Sequence, residues 1–237
     1  MSIADKIIRA KTDYDEVYEA GKQAERDRFW DAYQQNGNRT DYYNAFSGDG
    51  WTSENLKPKY KVTPLDLYQG GVSMFYRCNW RANNPSKIID FSKIAHMFDF
   101  SNLTDANYMF NSANIDNIIA DFSSAESLDA VFGSRWGTSG LKTITIKVSE
   151  KAKLHNTFGS TITNLSFMSG SIIGQDISLS DAWYLTKESF MNVINTLSSS
   201  VSGKTATFNK YAKEVAFTDD EWAALIATKT NWTFSLV

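Results

Sequence analysis

The sequence predicts a mixed α/β fold in which a right-handed solenoid with a short-stranded parallel sheet lies between a long N-terminal helix and a C-terminal helix–strand cap. Three observations support this fold class. Phenylalanine motifs recur at intervals typical of repeat proteins, short strand-like runs separate them, and both flanks have helical patterns. The chain of 237 residues accordingly divides into residues 1–35, 36–67, 68–172 and 173–237.

The N-terminal segment, residues 1–35, has the pattern of one helix that begins at Ser2, an acceptable N-cap residue. Small and apolar residues then recur in steps of four and three, which indicates a heptad seam. One interpretation is a coiled-coil stalk in which the seam joins copies of the chain into a homotrimer. The seam residues are Ile3, Ile7, Ala10, Tyr14 and Val17. In the alternative, the helix caps the open end of the solenoid. Gly21 weakens the seam, so the sequence does not decide between the stalk and the cap.

Residues 36–67 are expected to form an irregular connection. A turn cluster at 35–38 ends the helix, and Gly48, Gly50, Pro58 and Pro64 interrupt any regular pattern that follows.

The central segment, residues 68–172, contains the repeats. Phenylalanines close similar motifs at positions 75, 110, 132 and 158, at intervals of 35, 22 and 26 residues. An Asp-Phe-Ser triplet begins at Asp90, Asp99 and Asp121. Short strand-like runs lie between the motifs, and the clearest runs from Ile144 to Val148. Repeats of about 20–30 residues with one short strand each are typical of leucine-rich-repeat solenoids, whose units stack because each leaves an apolar face that only a neighbour can cover.

The last segment, residues 173–237, alternates longer helices with strands. Thr186 is a helix N-cap candidate, and Thr218 with Glu221 forms a capping box ahead of a second helix. The chain ends in an alternating strand that places Trp232, Phe234 and Leu236 on one face. This segment is therefore predicted to continue the solenoid in thicker units and to close it.

The central motifs resemble those of a known family. Phe98-Asp-Phe-Ser-Asn-Leu-Thr-Asp-Ala-Asn-Tyr-Met-Phe110 is similar to the repeat of BspA-like leucine-rich-repeat proteins, and Met74-Phe-Tyr-Arg-Cys78 looks like the continuation of that repeat. The resemblance spans about residues 68–172 and is most specific in the first two units. The segment from Asp121 to Phe132 loses the methionine, and the unit at 158 keeps only the phenylalanine.

The flanks contain Val17-Tyr-Glu-Ala-Gly-Lys22, Phe29-Trp-Asp-Ala-Tyr33 and a tail from Leu185-Thr-Lys-Glu-Ser to Asn231-Trp-Thr. These segments resemble parts of phage and prophage tail-region proteins of Gram-positive gut bacteria. This resemblance implies a virion-associated protein that binds a host surface or another virion protein. The N-terminus lacks the apolar core of a signal peptide, and no stretch approaches the ~18 apolar residues of a membrane span. We therefore expect synthesis in the cytoplasm without a signal peptide, followed by virion association.

Residue patterns for catalysis, metal binding and cofactors are missing from the sequence. Cys78 is the single cysteine, and His96 and His155 have no metal ligands at suitable spacing, so no metal site is expected. The net charge of −3 argues against a nucleic-acid partner. We therefore predict no enzyme and no cofactor, and we expect the Asp and Ser of each triplet to bond turn backbone.

Candidate binding residues lie where loops extend the repeats. Trp and Arg are common at interaction hot spots, and repeat insertions often line the binding face. On this basis the candidates are Tyr76, Arg77, Trp80, Arg81, Arg135 and Trp136. The alternative is that these side chains pack between neighbouring turns.

The predicted partner is a protein or a surface glycan. The virion-associated binding protein is the first hypothesis for the function. A bacterial adhesin or interaction module is the second, and a carbohydrate-active enzyme is the third.

Overall fold

The structure is a computed structural model, which describes the residues 20, 51–52, 56, 62, 72–79, 88–133, 141–154 and 156–237. Over these residues the chain is mixed α/β, with small parallel sheets and few helices. The predicted helix over 1–35 lies outside the described residues except for Ala20, which is helical and exposed. Its five seam residues also lie outside them: Ile3, Ile7, Ala10, Tyr14 and Val17.

Eight strands and three α-helices are described. The strands are β1 (Ile89–Asp90), β2 (Ile115–Asp116), β3 (Ile118–Phe122), β4 (Thr143–Val148), β5 (Asn164–Phe167), β6 (Ile177–Leu179), β7 (Lys204–Phe208) and β8 (Trp232–Leu236). The helices are α1 (Lys187–Thr196), α2 (Lys210–Ala216) and α3 (Asp219–Ile226). Short 3-10 turns cover Phe91–Lys93, Ala95–Met97 and Ala227–Lys229.

The strands form three sheets in chain order, β1–β2, β3–β4–β5 and β6–β7–β8, and every described strand pair is parallel. Ile118 lies opposite Ile144, and Ile144 lies opposite Leu165. Parallel neighbours cannot be joined by a tight hairpin, so the chain completes a crossover between successive strands. Within each sheet, every strand therefore pairs with the one that follows it in sequence.

Strand β4 shows why these segments form strands. Ile144, Ile146 and Val148 are buried, while the residues between them face outward. β-Branched side chains at a period of two favour a pleated surface that is buried on one side. The predicted strand from Ile144 to Val148 is thus confirmed. The closing strand β8 is confirmed in position, but Leu236 is 37% exposed, so its predicted apolar face is buried only at Trp232 and, in part, Phe234.

The four repeat phenylalanines form one column through the core. The ring centroids of Phe75 and Phe110 are 4.9 Å apart, those of Phe110 and Phe132 5.9 Å, and those of Phe132 and Phe158 6.2 Å. The rings are nearly parallel, with interplanar angles of 5°, 16° and 22°. The irregular intervals predicted from the sequence therefore bring equivalent residues into direct contact.

The backbone segments that carry the column phenylalanines, such as residues 108–113, lie side by side and form what we call the ribbon. This ribbon has two sets of hydrogen bonds. The N–H groups of Tyr108, Phe110 and Ser112 donate to carbonyls of the next turn, at Asp129, Val131 and Gly133. The intervening N–H groups, from Met109 to Ala113, donate to carbonyls three residues back. Non-glycine residues with left-handed backbone lie two positions before each phenylalanine, at Ser73, Tyr108, Ala130 and Asn156. The bonds between turns hold this uncommon conformation in place.

The Asp-Phe-Ser triplets have the structural role that the sequence predicts. The backbone N–H groups of Ser92, Ser101 and Ser123 donate to the carboxylates of Asp90, Asp99 and Asp121, at 3.2, 3.1 and 2.8 Å. Such side-chain acceptors satisfy turn backbone that has no strand partner. The triplets therefore stabilise turns.

Helix α1 ends the second sheet. Ser189 Oγ accepts a hydrogen bond from the N–H of Leu165 at 2.9 Å, and Asn192 Oδ1 accepts one from the N–H of Phe167 at 2.6 Å. These side chains satisfy donors of β5 that a further strand would otherwise use. As predicted, Thr186 caps α1, and Thr218 with Glu221 forms the capping box of α3.

Candidate binding groove

A groove of about 420 Å³ lies along the ribbon. We call it the ribbon groove, and the described residues that line it are Tyr76, Tyr108, Asn111, Ser112, Asp129, Ala130, Gly133, Asn156, Phe158, Gly159 and Asp181. These residues come from five successive passes of the chain, so the groove runs in the direction in which the turns follow one another.

The repeat geometry explains the shape of the groove. Of the four left-handed residues that lie two positions before a column phenylalanine, three line the groove: Tyr108, Ala130 and Asn156. The bulky Tyr108 side chain is 43% exposed, whereas the equivalent residue of the next turn is an alanine. Gly133 and Gly159, one residue beyond their column phenylalanines, have no side chain to fill the space. A large residue in one turn followed by small residues in the next therefore produces a depression.

Asn111 fixes the floor of the groove. Its Nδ2 donates to the carbonyl of Ala130 at 3.0 Å, and its Oδ1 accepts from the hydroxyl of Ser112 at 2.9 Å. The side chain thus joins two turns and is nearly buried. A Cβ on Gly133 would lie 3.1 Å from Asn111 Nδ2, so the backbone of the second turn approaches the first closely. The floor is therefore held by packing and hydrogen bonds before any ligand binds.

The described lining of the groove carries two carboxylates, Asp129 and Asp181, and no cationic side chain. At its edge, the guanidinium of Arg77 lies 4.9 Å from the ring centroid of Tyr76, which is a cation–π contact. Arg77 is thereby directed onto the tyrosine ring. The electrostatic character of the groove favours an uncharged or cationic ligand over an anion.

Exposed aromatic side chains continue beyond one end of the groove. We call Trp183, Tyr184 and Tyr211 the aromatic platform; they are 50%, 67% and 56% exposed. The rings of Trp183 and Tyr211 have centroids 6.5 Å apart, and Trp183 follows the groove residue Asp181 by two positions. Large aromatic side chains left in solvent as a cluster are typical of recognition surfaces.

The sequence-predicted binding residues have different outcomes. Tyr76 lines the groove, and Arg77 is exposed beside it. The remaining candidates lie outside the described residues: Trp80, Arg81, Arg135 and Trp136. In sequence, Trp80 follows the described Asn79 directly, and Arg135 is two positions after the groove residue Gly133.

Sequence reasoning missed Tyr108 and the aromatic platform. Tyr108 stands directly before a Met-Phe pair, and its neighbours suggest a core position. In the structure its backbone is left-handed, which this sequence pattern does not indicate, and its side chain is 43% exposed. The Trp183-Tyr184 pair in a polar stretch was the available signal for the platform.

The described residues offer no sign of metal or thiol chemistry. No group of three or more His, Cys, Asp or Glu that could hold a metal ion occurs among them. Cys78 is fully buried, as expected for a structural thiol, and His96 is exposed. His155 lies outside the described part of the chain. Within that part, no helix is long and apolar enough to cross a membrane.

Comparisons with protein-family models, with curated proteins and with solved structures find no match for this chain. The groove and the platform are therefore interpreted from their own residues.

Proposed function

We propose that this chain is a non-enzymatic binding protein that recognises a host surface or another virion protein, and that it acts in a phage or prophage particle. The observation that carries the binding role is the ribbon groove together with the aromatic platform. Both expose aromatic rings beside polar groups in the direction along which the turns are repeated. This combination supplies apolar contact area and hydrogen-bonding groups on one preformed surface.

The architecture we propose is a leucine-rich-repeat-like right-handed solenoid with a long N-terminal helix and a C-terminal helix–strand cap. Its support is the parallel pairing of successive strands within each sheet, the phenylalanine column, and the triplet turns in successive units. Stacked units of this kind expose a large surface for their size. A rigid surface of repeated turns suits binding better than chemistry.

Glycoside hydrolysis is the alternative that a specific observation favours, because Asp129 and Asp181 line one groove. Such hydrolases hold one carboxyl protonated by placing it in an apolar pocket. Asp181 is instead exposed to solvent, and Asp129 is only half-buried in a polar lining. Neither carboxyl group therefore has the apolar surroundings of such an acid.

Cell binding tests the proposal. Fluorescently labelled full-length protein is incubated with intact cells of a panel of Gram-positive gut bacteria and pelleted with them. We expect co-sedimentation with at least one strain, and a severalfold loss of bound protein in a Tyr108→Ala, Trp183→Ala double variant. Ile119→Ala is the matched control, because Ile119 is 43% exposed like Tyr108 but lies on β3.

Two results would contradict the proposal. Failure to bind any strain would remove the host-surface role, and equal binding by the double variant would move that role to another surface. A parallel screen for glycan hydrolysis should detect no turnover. Turnover that disappears in an Asp181→Asn variant would make the protein an enzyme.

A further inference from the structure

We infer that the ribbon groove binds a linear oligosaccharide, uncharged or amino-substituted, which lies along the direction of the repeats with about one sugar on each turn. This inference rests on the proposed binding function and adds the chemical class of the ligand. Its starting point is the number of passes that form the groove. Tyr76, Tyr108, Ala130, Asn156 and Asp181 each come from a different one.

The spacing of the turns suits a polymer of sugars. Successive rings of the phenylalanine column beneath the groove are 4.9, 5.9 and 6.2 Å apart, so neighbouring turns present equivalent groups at intervals of this size. This interval is close to the length of one sugar unit in an extended chain. A linear glycan along the groove would therefore meet one turn with each successive sugar.

The lining has the groups that a sugar ring requires. Tyr76 and Tyr108 provide aromatic faces, whose negative quadrupole attracts the C–H groups of a pyranose ring. The Asp181 carboxylate is exposed and accepts no hydrogen bond from another described residue, so both oxygens can accept hydrogen bonds from sugar hydroxyl groups. The hydroxyl groups of the two tyrosines add donors and acceptors at the rim. Because the described lining has carboxylates and no cation, an acidic glycan is disfavoured.

A bound peptide strand fits this groove less well. Peptides that add to a sheet need a free row of backbone donors and acceptors, and helical peptides need an apolar groove. Every backbone N–H from Tyr108 to Ala113 already donates within the protein. Buried apolar surface is scarce in the groove, where Phe158 is 3% exposed and the other side chains are mostly polar or small. The groove can therefore contact a ligand mainly through its side chains, most of which suit a polar ligand.

The test is isothermal titration calorimetry of the full-length protein with linear oligosaccharides of known sequence. The probes are the dimer, trimer and tetramer of the cello, N-acetylchito and chitosan series. We expect at least one tetramer to bind with a Kd below about 1 mM, and about tenfold more tightly than its dimer, because a longer chain contacts more turns. Glucuronate-containing oligomers of the same length should bind more weakly.

Single variants locate the binding site. Tyr108→Ala and Asp181→Asn should each weaken tetramer binding about tenfold, which corresponds to the loss of one good contact. Ile119→Ala and Asp220→Asn are the matched controls, since they remove a similarly exposed apolar side chain and a similarly exposed carboxylate elsewhere, and should change the Kd less than twofold. Thermal unfolding of all four variants verifies that each is folded.

Several outcomes would overturn the inference. They are no binding by any tetramer at millimolar concentration, equal affinity for dimer and tetramer, unchanged affinity in both groove variants, and stronger binding of a lysine-rich peptide. The cell-binding experiment separates this failure from failure of the proposed function. Protein that pellets with cells through Tyr108 and Trp183, but is not displaced by excess oligosaccharide, would keep the binding function and refute the glycan. Protein that binds an oligosaccharide but does not pellet with cells would keep the glycan inference and refute the host-surface role.

Discussion

Aromatic rings pack in two different ways in the two halves of the described chain. In the phenylalanine-stacked region, which comprises residues 72–79, 88–133, 141–154 and 156–167, equivalent rings are nearly parallel, as in the 5° angle between Phe75 and Phe110. In the helix–strand region, residues 177–237, Phe208 and Phe234 stack at 15°, but most ring contacts of Phe190 and Trp222 are edge to face. Phe190 lies at 87° to Phe217 and at 85° to Trp222. Both arrangements are favourable geometries for aromatic pairs.

The difference follows from how each region is built. A repeated turn is related to the next by little more than a translation, so the same side chain recurs in the same orientation and the rings stack. A helix that packs on a sheet brings its side chains in from another direction, so Trp222 of α3 meets Phe208 of β7 at 83° and Phe190 of α1 at 85°. In the phenylalanine-stacked region, too, rings from non-equivalent positions can meet at steep angles, as Phe100 and Phe110 do at 85°.

The largest predicted effect is the loss of one ring from the column. Phe110 is 1% exposed and contacts Phe75 and Phe132 above and below. Phe110→Ala should lower the free energy of unfolding by about 3–5 kcal/mol, because it leaves a cavity between two turns that cannot close independently. Urea denaturation followed by circular dichroism measures the change.

Tyr108→Ala is the control for that experiment. Tyr108 precedes Phe110 by two residues but is largely exposed, so its removal should change the free energy of unfolding by less than about 0.5 kcal/mol. Phe190→Ala, in the edge-to-face cluster, should cost about as much as Phe110→Ala. A cost below about 1 kcal/mol at Phe110 would contradict a continuous column.

The sequence predicted the stacked region well because its signals repeat. The alignment of Phe100 to Phe110 with Phe122 to Phe132 is confirmed by stacked pairs at both ends, 5.7 and 5.9 Å apart. The caps at Thr186 and Thr218 were also predicted, since an N-cap depends on residues within one turn.

The groove could not be predicted in the same way. Its shape depends on left-handed backbone at Tyr108 and Ala130, residue types that do not favour that conformation. Hydrogen bonds between turns impose it, and they connect residues about twenty positions apart. Helix α2 was also missed, because it is short and its cap, Asn209, directly follows β7.

The second prediction concerns Gly174, where the two regions meet. A Cβ at this position would lie 2.5 Å from the backbone oxygen of Glu150, which belongs to the turn after β4. Gly174→Ala should therefore cost about 1–3 kcal/mol of unfolding free energy, since backbone must move to relieve the overlap. Chemical denaturation of the variant gives the value.

Gly203→Ala tests whether the cost at Gly174 is steric. Gly203 has a φ of +69°, and a Cβ there would meet no atom within 4 Å. Its replacement should cost about 1 kcal/mol, from backbone strain alone. If Gly203→Ala proved the more damaging of the two, close contact at Gly174 would not be the reason that the junction requires glycine.

A smaller effect is expected at the start of α3. Thr218 accepts a hydrogen bond from the N–H of Glu221, and Glu221 accepts one from the N–H of Thr218. Thr218→Ala should cost about 1 kcal/mol, because it leaves a helix N–H without its acceptor. Thr218→Ser keeps the hydroxyl and should retain most of the stability in thermal unfolding. An equal loss in both variants would assign the effect to the methyl group.

The smallest predicted effect is a pKa change at the junction between the two regions. Glu150 accepts hydrogen bonds from the hydroxyl groups of Ser198 and Ser200, at 2.6 and 2.7 Å, and these bonds hold the pKa of its carboxyl below the ordinary 4.5. A carboxyl whose pKa is lowered by folding stabilises the folded state above its ordinary pKa. That contribution is lost as the pH falls through the lowered value.

Replacing both serines with alanine should therefore raise the pKa of Glu150 towards 4.5. The stability that these two bonds contribute should be lost in full above that pH, and the loss should disappear below the lowered pKa. Carboxyl-carbon NMR titration measures the pKa in both proteins. Glu221, whose pKa is lowered by Lys187 on another part of the surface, serves as the internal control and should titrate identically in the two. A Glu150 titration that does not move would mean that the serine hydroxyls bond elsewhere in solution. The stacked and helix–strand regions would then be joined at this point by the packing of Gly174 against Glu150.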